Sequence, residues 1–122
     1  MKRLLLLSLL CVCALGIRAQ TAGSKEYYLN EANKYRTEAQ RYTQEAEKYQ
    51  CEAAQYSNKA QAHLQDAAHQ KDVKAANLRK EWANEAFNYA RMRQQWANEA
   101  KQKAALRNTW ANEAMQKAQS AK

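Results

Sequence analysis

Few residues in this 122-residue chain are of a type that carries out catalysis or binds metal, and their spacing works against it. Cys51 is the one thiol beyond residue 13. A thiol nucleophile needs a base within hydrogen-bond reach, and the nearest histidines in sequence are His63 and His69. Those two stand six residues apart, so they do not share a helix face as an i, i+4 zinc pair would. Glu45 and Glu47 are close in sequence but point different ways on a helix. No glycine-rich phosphate loop, Cys-x-x-Cys pair or Asn-x-Ser/Thr sequon follows residue 20. The expectation is a chain with no catalytic residue, no metal and no cofactor, and therefore not an enzyme.

The residues with a clear rhythm are aromatic. Tyrosine recurs at Tyr28, Tyr35, Tyr42, Tyr49 and Tyr56, and His63 takes the next place. Trp82, Trp96 and Trp110 each open the pentapeptide Trp-Ala-Asn-Glu-Ala, repeated at fourteen-residue intervals. Leu78, Met92 and Leu106 lie four residues before the tryptophans, and Arg79, Arg93 and Arg107 lie three before. On a helix both spacings bring side chains together, so the aliphatic group can pack on the ring and the guanidinium can sit over it. Repetition at helical spacing reads as packing pitch. A ligand site used three times is the second reading.

These residues need long helices to hold them. No proline occurs, and Gly23 is the last glycine. The rest is rich in Ala, Gln, Glu, Lys and Arg, which are good helix formers. Ser24 is placed to cap the helical region. Residues 31–72 fall into seven-residue units, with alanine at 32, 39, 46, 53, 60 and 67. Alanine at a and tyrosine at d make a heptad seam of small and large residues. Glu31, Lys34, Glu38, Arg41, Glu45, Lys48 and Glu52 form an alternating charge row beside it, which reads as a solvated face. Residues 73–122 carry the fourteen-residue units.

The two systems are out of phase. Nineteen residues separate Ala67 from Ala86, which is not a multiple of seven. The mismatch falls at 68–77, a stretch that suits a helix. Continuity is the first expectation there, with a kink or hairpin turn as the alternative. The fold class expected is all-α: one long helix, or a kinked or hairpin pair of long helices, in an Ala-rich heptad coiled coil.

The N-terminus reads as a secretory signal over residues 1–19. Met1-Lys2-Arg3 is basic, Leu4–Leu15 is apolar, and Ala19 suits the cleavage site. Removing the segment deletes Lys2, Arg3 and Arg18, so 17 basic residues face 12 acids and the charge falls from +8 to +5. Cys11 and Cys13 leave with it. A lone Cys51 in a secreted chain points to an interchain disulfide or a free thiol.

Leu, Ile, Val and Phe number six after residue 19, too few for an ordinary core. Association is expected to fill that need, through a seam of Tyr35, Tyr42, Tyr49, Tyr56, Trp82, Trp96 and Trp110. Partners are copies of the chain itself or related helical chains, with acidic polymers or surfaces favoured by the mild positive charge. Interleaved acids argue against nucleic acid, which wants one continuous basic stripe.

In its Ala-rich heptads and aromatic periodicity the chain resembles extracellular coiled-coil materials such as helical silks, egg-capsule proteins and shell-matrix proteins. That resemblance implies a secreted structural protein of an extracellular matrix or material. The rival reading is a secreted cationic amphipathic helix that binds lipids or membranes.

Overall fold

The structure is a computed structural model that describes residues 17–121. Most of the expected signal peptide, residues 1–16, lies outside them. Two helices account for the rest: α1, Ile17–His69, and α2, Val73–Ser120. Helix α1 begins upstream of Ser24, so that serine is an interior residue and not a cap. No proline stands nearby to stop the helix, and Gly23 alone costs only about 1 kcal/mol relative to alanine.

Between the helices lie Gln70, Lys71 and Asp72. The chain thus breaks within 68–77 and takes the hairpin turn that the sequence placed second to continuity. The turn is made without glycine or proline. The Gln70 amide donates to the Ala67 carbonyl at 3.2 Å, which tightens the last turn of α1. The Ala76 amide donates to the Asp72 carbonyl at 3.0 Å, the first helical bond of α2. Asp72 therefore occupies the N-cap, a position its residue type favours. The phase mismatch has the same explanation. Two stripes that face each other across a turn need not lie on one side of one helix.

The chain divides into two compact units. The first joins the described residues up to Gln40 with those from Ala105 on. Here the start of α1 runs antiparallel to the end of α2, and Ala32, Ala39, Ala111, Ala114 and Ala118 are buried between them. The second unit, Arg41–Ala104, is an αα-hairpin around the turn. Its buried line is again alanine: 46, 53, 60 and 67 on α1, and 83, 86, 97, 100 and 104 on α2. Ala60, Ala83 and Ala86 cluster, with Phe87 packed against them.

Every buried residue among those described is an alanine. The aromatic rings flank this line and stay partly exposed. A methyl group at each seam position lets two backbones come close, which is the advantage of small residues at a helix interface. Hydroxyls inside the helices are satisfied locally, Thr37 donating to the Asn33 carbonyl at 3.0 Å and Thr109 to the Ala105 carbonyl at 3.1 Å. In each unit the seam is closed by the two helices of one chain.

Candidate functional site

One flank of each unit carries a row of rings and charges, and its register follows a simple rule. In each of the following cross-helix pairs the two residue numbers add to 145. In the first unit Tyr35 meets Trp110 edge-on at 5.4 Å, Glu38 meets Arg107, and Lys117 lies over Tyr28 at 5.7 Å. In the second, Tyr49 meets Trp96 at 5.5 Å, Tyr56 meets Tyr89 at 5.3 Å, and His63 meets Trp82 at 5.6 Å. Glu52 there meets Arg93, Asp66 meets Arg79, and Lys103 lies over Tyr42 at 5.7 Å.

The α1 side of this row is nearly uniform. Going toward the turn, tyrosine (and finally His63) repeats every seven residues, and beside it run Glu31, Glu38, Glu45, Glu52, Lys59 and Asp66. The α2 side alternates. Arg79, Ala86, Arg93, Ala100, Arg107 and Ala114 follow one another at seven-residue steps. Where α2 offers arginine, the layer closes. Arg107 Nε donates to Glu38 Oε1 at 2.7 Å, and Arg93 Nε to Glu52 Oε1 at 2.9 Å. The same guanidinium groups lie over the next tryptophan: Arg79 on Trp82 at 4.7 Å, Arg93 on Trp96 at 4.6 Å, Arg107 on Trp110 at 4.5 Å. Each such stacking contributes about 0.5–1 kcal/mol at a partly exposed site.

At Ala100 and Ala114, which stand opposite Glu45 and Glu31, the layer opens into a notch. In the first unit the notch is lined by Tyr27, Tyr28, Tyr35, Trp110, Glu31, Glu113, Ala114 and Lys117, with a volume of about 350 Å³. In the second unit it is lined by Tyr49, Trp96, Glu45, Glu99, Ala100 and Lys103, at about 250 Å³. Moving fourteen residues along each helix carries Glu31, Tyr35, Trp110, Glu113, Ala114 and Lys117 onto Glu45, Tyr49, Trp96, Glu99, Ala100 and Lys103, whereas Tyr27 and Tyr28 line the first notch only. Hydrogen bonding to Glu31, then partial burial, raises the Tyr35 phenol above its ordinary 10.0. Glu45 is held by Arg41 at 3.1 Å. Glu99 and Glu113 form no hydrogen bond or ion pair among the described residues.

The residues singled out from sequence fall as follows. Tyr35, Tyr49, Tyr56, Trp82, Trp96 and Trp110 all take part in cross-helix ring pairs. Tyr42 lies beneath both Lys103 and Arg41. Cys51 is a free, exposed thiol on the outer side of α1. The charge row read as a solvated face divides. Lys34, Arg41 and Lys48 are exposed, whereas Glu38 and Glu52 bridge the helices and Glu31 and Glu45 line the notches. Only the alternation of arginine with alanine on α2 could have separated those two sets.

Among the described residues no group of histidine, cysteine and carboxylates is arranged to hold a metal ion. No helix among them is long and apolar enough to cross a membrane. No family model, curated protein or solved structure matches the chain.

Proposed function

We propose that the chain is a secreted structural protein that associates with copies of itself in an extracellular matrix or material. The observation that carries this reading is a set of exposed apolar residues on α2, Leu78, Met92 and Leu106, each four residues before a tryptophan of the ring row. Leu78 with Trp82 and Met92 with Trp96 are each more than a third exposed in the second unit, and exposed Leu106 precedes Trp110 in the first. They recur every fourteen residues, about 21 Å along a helix. A single exposed apolar residue needs no explanation, but a regular series of large ones marks a surface that another molecule covers.

Glu85, Glu99 and Glu113 follow the pairs at the same fourteen-residue spacing. A second helix of the same pitch can match apolar group to apolar group over several repeats. The exposed Cys51 suits this reading as a bridge between chains, because the secretory route is oxidising.

Sedimentation equilibrium of the native full-length chain tests the proposal. The expected result is association at micromolar concentration that Met92→Glu weakens while the helical signal is kept. A folded monomer throughout the range overturns it. Co-sedimentation with anionic vesicles forms the second arm. Vesicle binding by that monomer would transfer support to the rival reading, in which the aromatic, cationic surface lies on lipid. Non-reducing gels of native material address Cys51 separately, and a dimer band that collapses on reduction is expected.

A further inference from the structure

We infer that the two notches are ligand sites for an alkylammonium group, a trimethylammonium or a lysine-type cation. The inference goes beyond structural association: each notch is formed within one chain, although Trp96 belongs both to the second notch and to the exposed series on α2.

The chemistry lies in the composition of the lining. A cation is recognised by ring faces and carboxylates together, and quaternary ammonium groups are bound in this manner. The first notch has four rings, Tyr27, Tyr28, Tyr35 and Trp110, with two carboxylates and one lysine around an alanine floor. The second has Tyr49 and Trp96 with two carboxylates and one lysine around Ala100. Two acids against one lysine leave the first lining one charge negative; in the second, Arg41 already pairs with Glu45, and Glu99 is the carboxylate left to a ligand. An anion would meet these carboxylates, while an uncharged apolar ligand would leave Glu99 and Glu113 unused.

The repeat shows why each part is there. Within Trp96-Ala97-Asn98-Glu99-Ala100, Trp96 is the wall, Ala97 the buried seam, Glu99 an unpartnered carboxylate and Ala100 the floor. Trp110, Ala111, Glu113 and Ala114 repeat this in the first unit. The chain itself places an ammonium group on a tyrosine beside each notch: Lys117 on Tyr28 and Lys103 on Tyr42, both at 5.7 Å. Those lysines show that the rings accept a cation.

The third copy of the pentapeptide supplies a control. At Trp82 the position of Glu31 and Glu45 is held by Lys59, and that of Lys103 and Lys117 by Tyr89. Lys59 lies over Tyr56 at 5.6 Å. Here Lys59 replaces the second acid and Glu85 is the one carboxylate left, so the lining has no negative surplus and no external cation is expected to bind.

The test is a titration of the full-length chain with butyltrimethylammonium, butylammonium and butyrate, each at constant ionic strength set with sodium chloride. The three indole N–H resonances are followed by NMR and assigned by single Trp→Phe variants. Trp96 and Trp110 are expected to shift saturably with a cation while Trp82 stays still, and butyrate is expected to move none. The quaternary and primary arms separate a methylated ligand from a lysine-type one. Glu99→Gln is expected to weaken binding about two- to fivefold at Trp96 and leave Trp110 unchanged, the range for one partly exposed charge pair. No saturable shift, equal shifts at all three indoles, or an unchanged response in Glu99→Gln would each overturn the inference.

Discussion

Helix α1 repeats every seven residues and α2 every fourteen, although the same antiparallel register applies in each unit. The shorter repeat is a constant background. It offers a tyrosine at each turn of the row and, from Glu31 to Glu52, a glutamate beside it. The longer repeat writes alternation on that background. Arginine closes one layer with an ion pair and a stacked ring, and alanine opposite Glu31 or Glu45 leaves the next open as a notch. A helix with a seven-residue repeat alone could form a rod, but every layer along it would be the same. Doubling the period on one partner makes two kinds of layer from one fold.

The buried line of alanine is common to both helices, and changes there should have the largest effect. Ala60 is fully buried in its cluster with Ala83 and Ala86. Ala60→Leu forces four heavy atoms' worth of side chain into a seam built for methyl groups. It should destabilise the hairpin toward the upper end of the roughly 1–3 kcal/mol typical of overpacking. Ala62 is exposed two residues away, and Ala62→Leu should fall within about 0.5 kcal/mol of the parent. Urea unfolding followed by circular dichroism measures both. Equal effects at the two positions would mean that the alanine line is not the contact that holds the helices.

Trp96 comes next. A fully buried tryptophan costs about 3–5 kcal/mol on truncation to alanine. With the residue 37% exposed, truncation of Trp96 should cost about 2 kcal/mol, mostly from lost packing on Tyr49 and Arg93. A loss of a few tenths would mean that the ring serves only the notch or an external partner.

Both helices, the all-α class and the arginine–tryptophan spacing were legible because each is a local matter of i, i+3 and i, i+4 geometry. The turn was not, since Gln70, Lys71 and Asp72 include no strong breaker, and a three-residue connection leaves little compositional trace. The phase jump between Ala67 and Ala86 was its real signal. The aromatic rows were expected to form the seam together with alanine, yet alanine alone is buried and the rings sit beside it. Which glutamates reach across the hairpin also depends on α2, because Glu38 and Glu45 occupy equivalent heptad positions on α1 and face Arg107 and Ala100 respectively.

That difference predicts unequal effects for two cations of the row. Arg93→Ala removes an ion pair with Glu52 and stacking on Trp96 and on Tyr56, the latter at 5.3 Å. The pair is partly exposed, so screening reduces its share, and a total of about 1–2 kcal/mol is expected. Lys103→Ala, in an open layer, removes only an exposed ammonium 5.7 Å from Tyr42 and should cost about 0.5 kcal/mol or less. A double-mutant cycle of Arg93 with Glu52 should show coupling. Matching costs at Arg93 and Lys103 would erase the distinction between closed and open layers.

The smallest effect expected is a titration. In the open layer of the first unit, the interaction of the Tyr35 phenol with Glu31 is the main cause of its raised pKa. The neutral phenol is the form the fold favours. Its contribution to stability is complete below the ordinary 10.0 and is lost as pH rises through the higher value in the folded chain. The phenolate absorbance of the native chain minus that of Tyr35→Phe isolates this one group. The difference curve should have its midpoint above 10.0, and Glu31→Gln should move it down, because the charged acceptor and its repulsion of the phenolate are both removed. Glu38→Gln should leave the midpoint in place, since Glu38 belongs to a closed layer and is engaged by Arg107 at 2.7 Å. A midpoint that follows Glu38 as strongly as Glu31 would show that the two layers share one electrostatic environment, and that the alternation on α2 does not reach the tyrosines of α1.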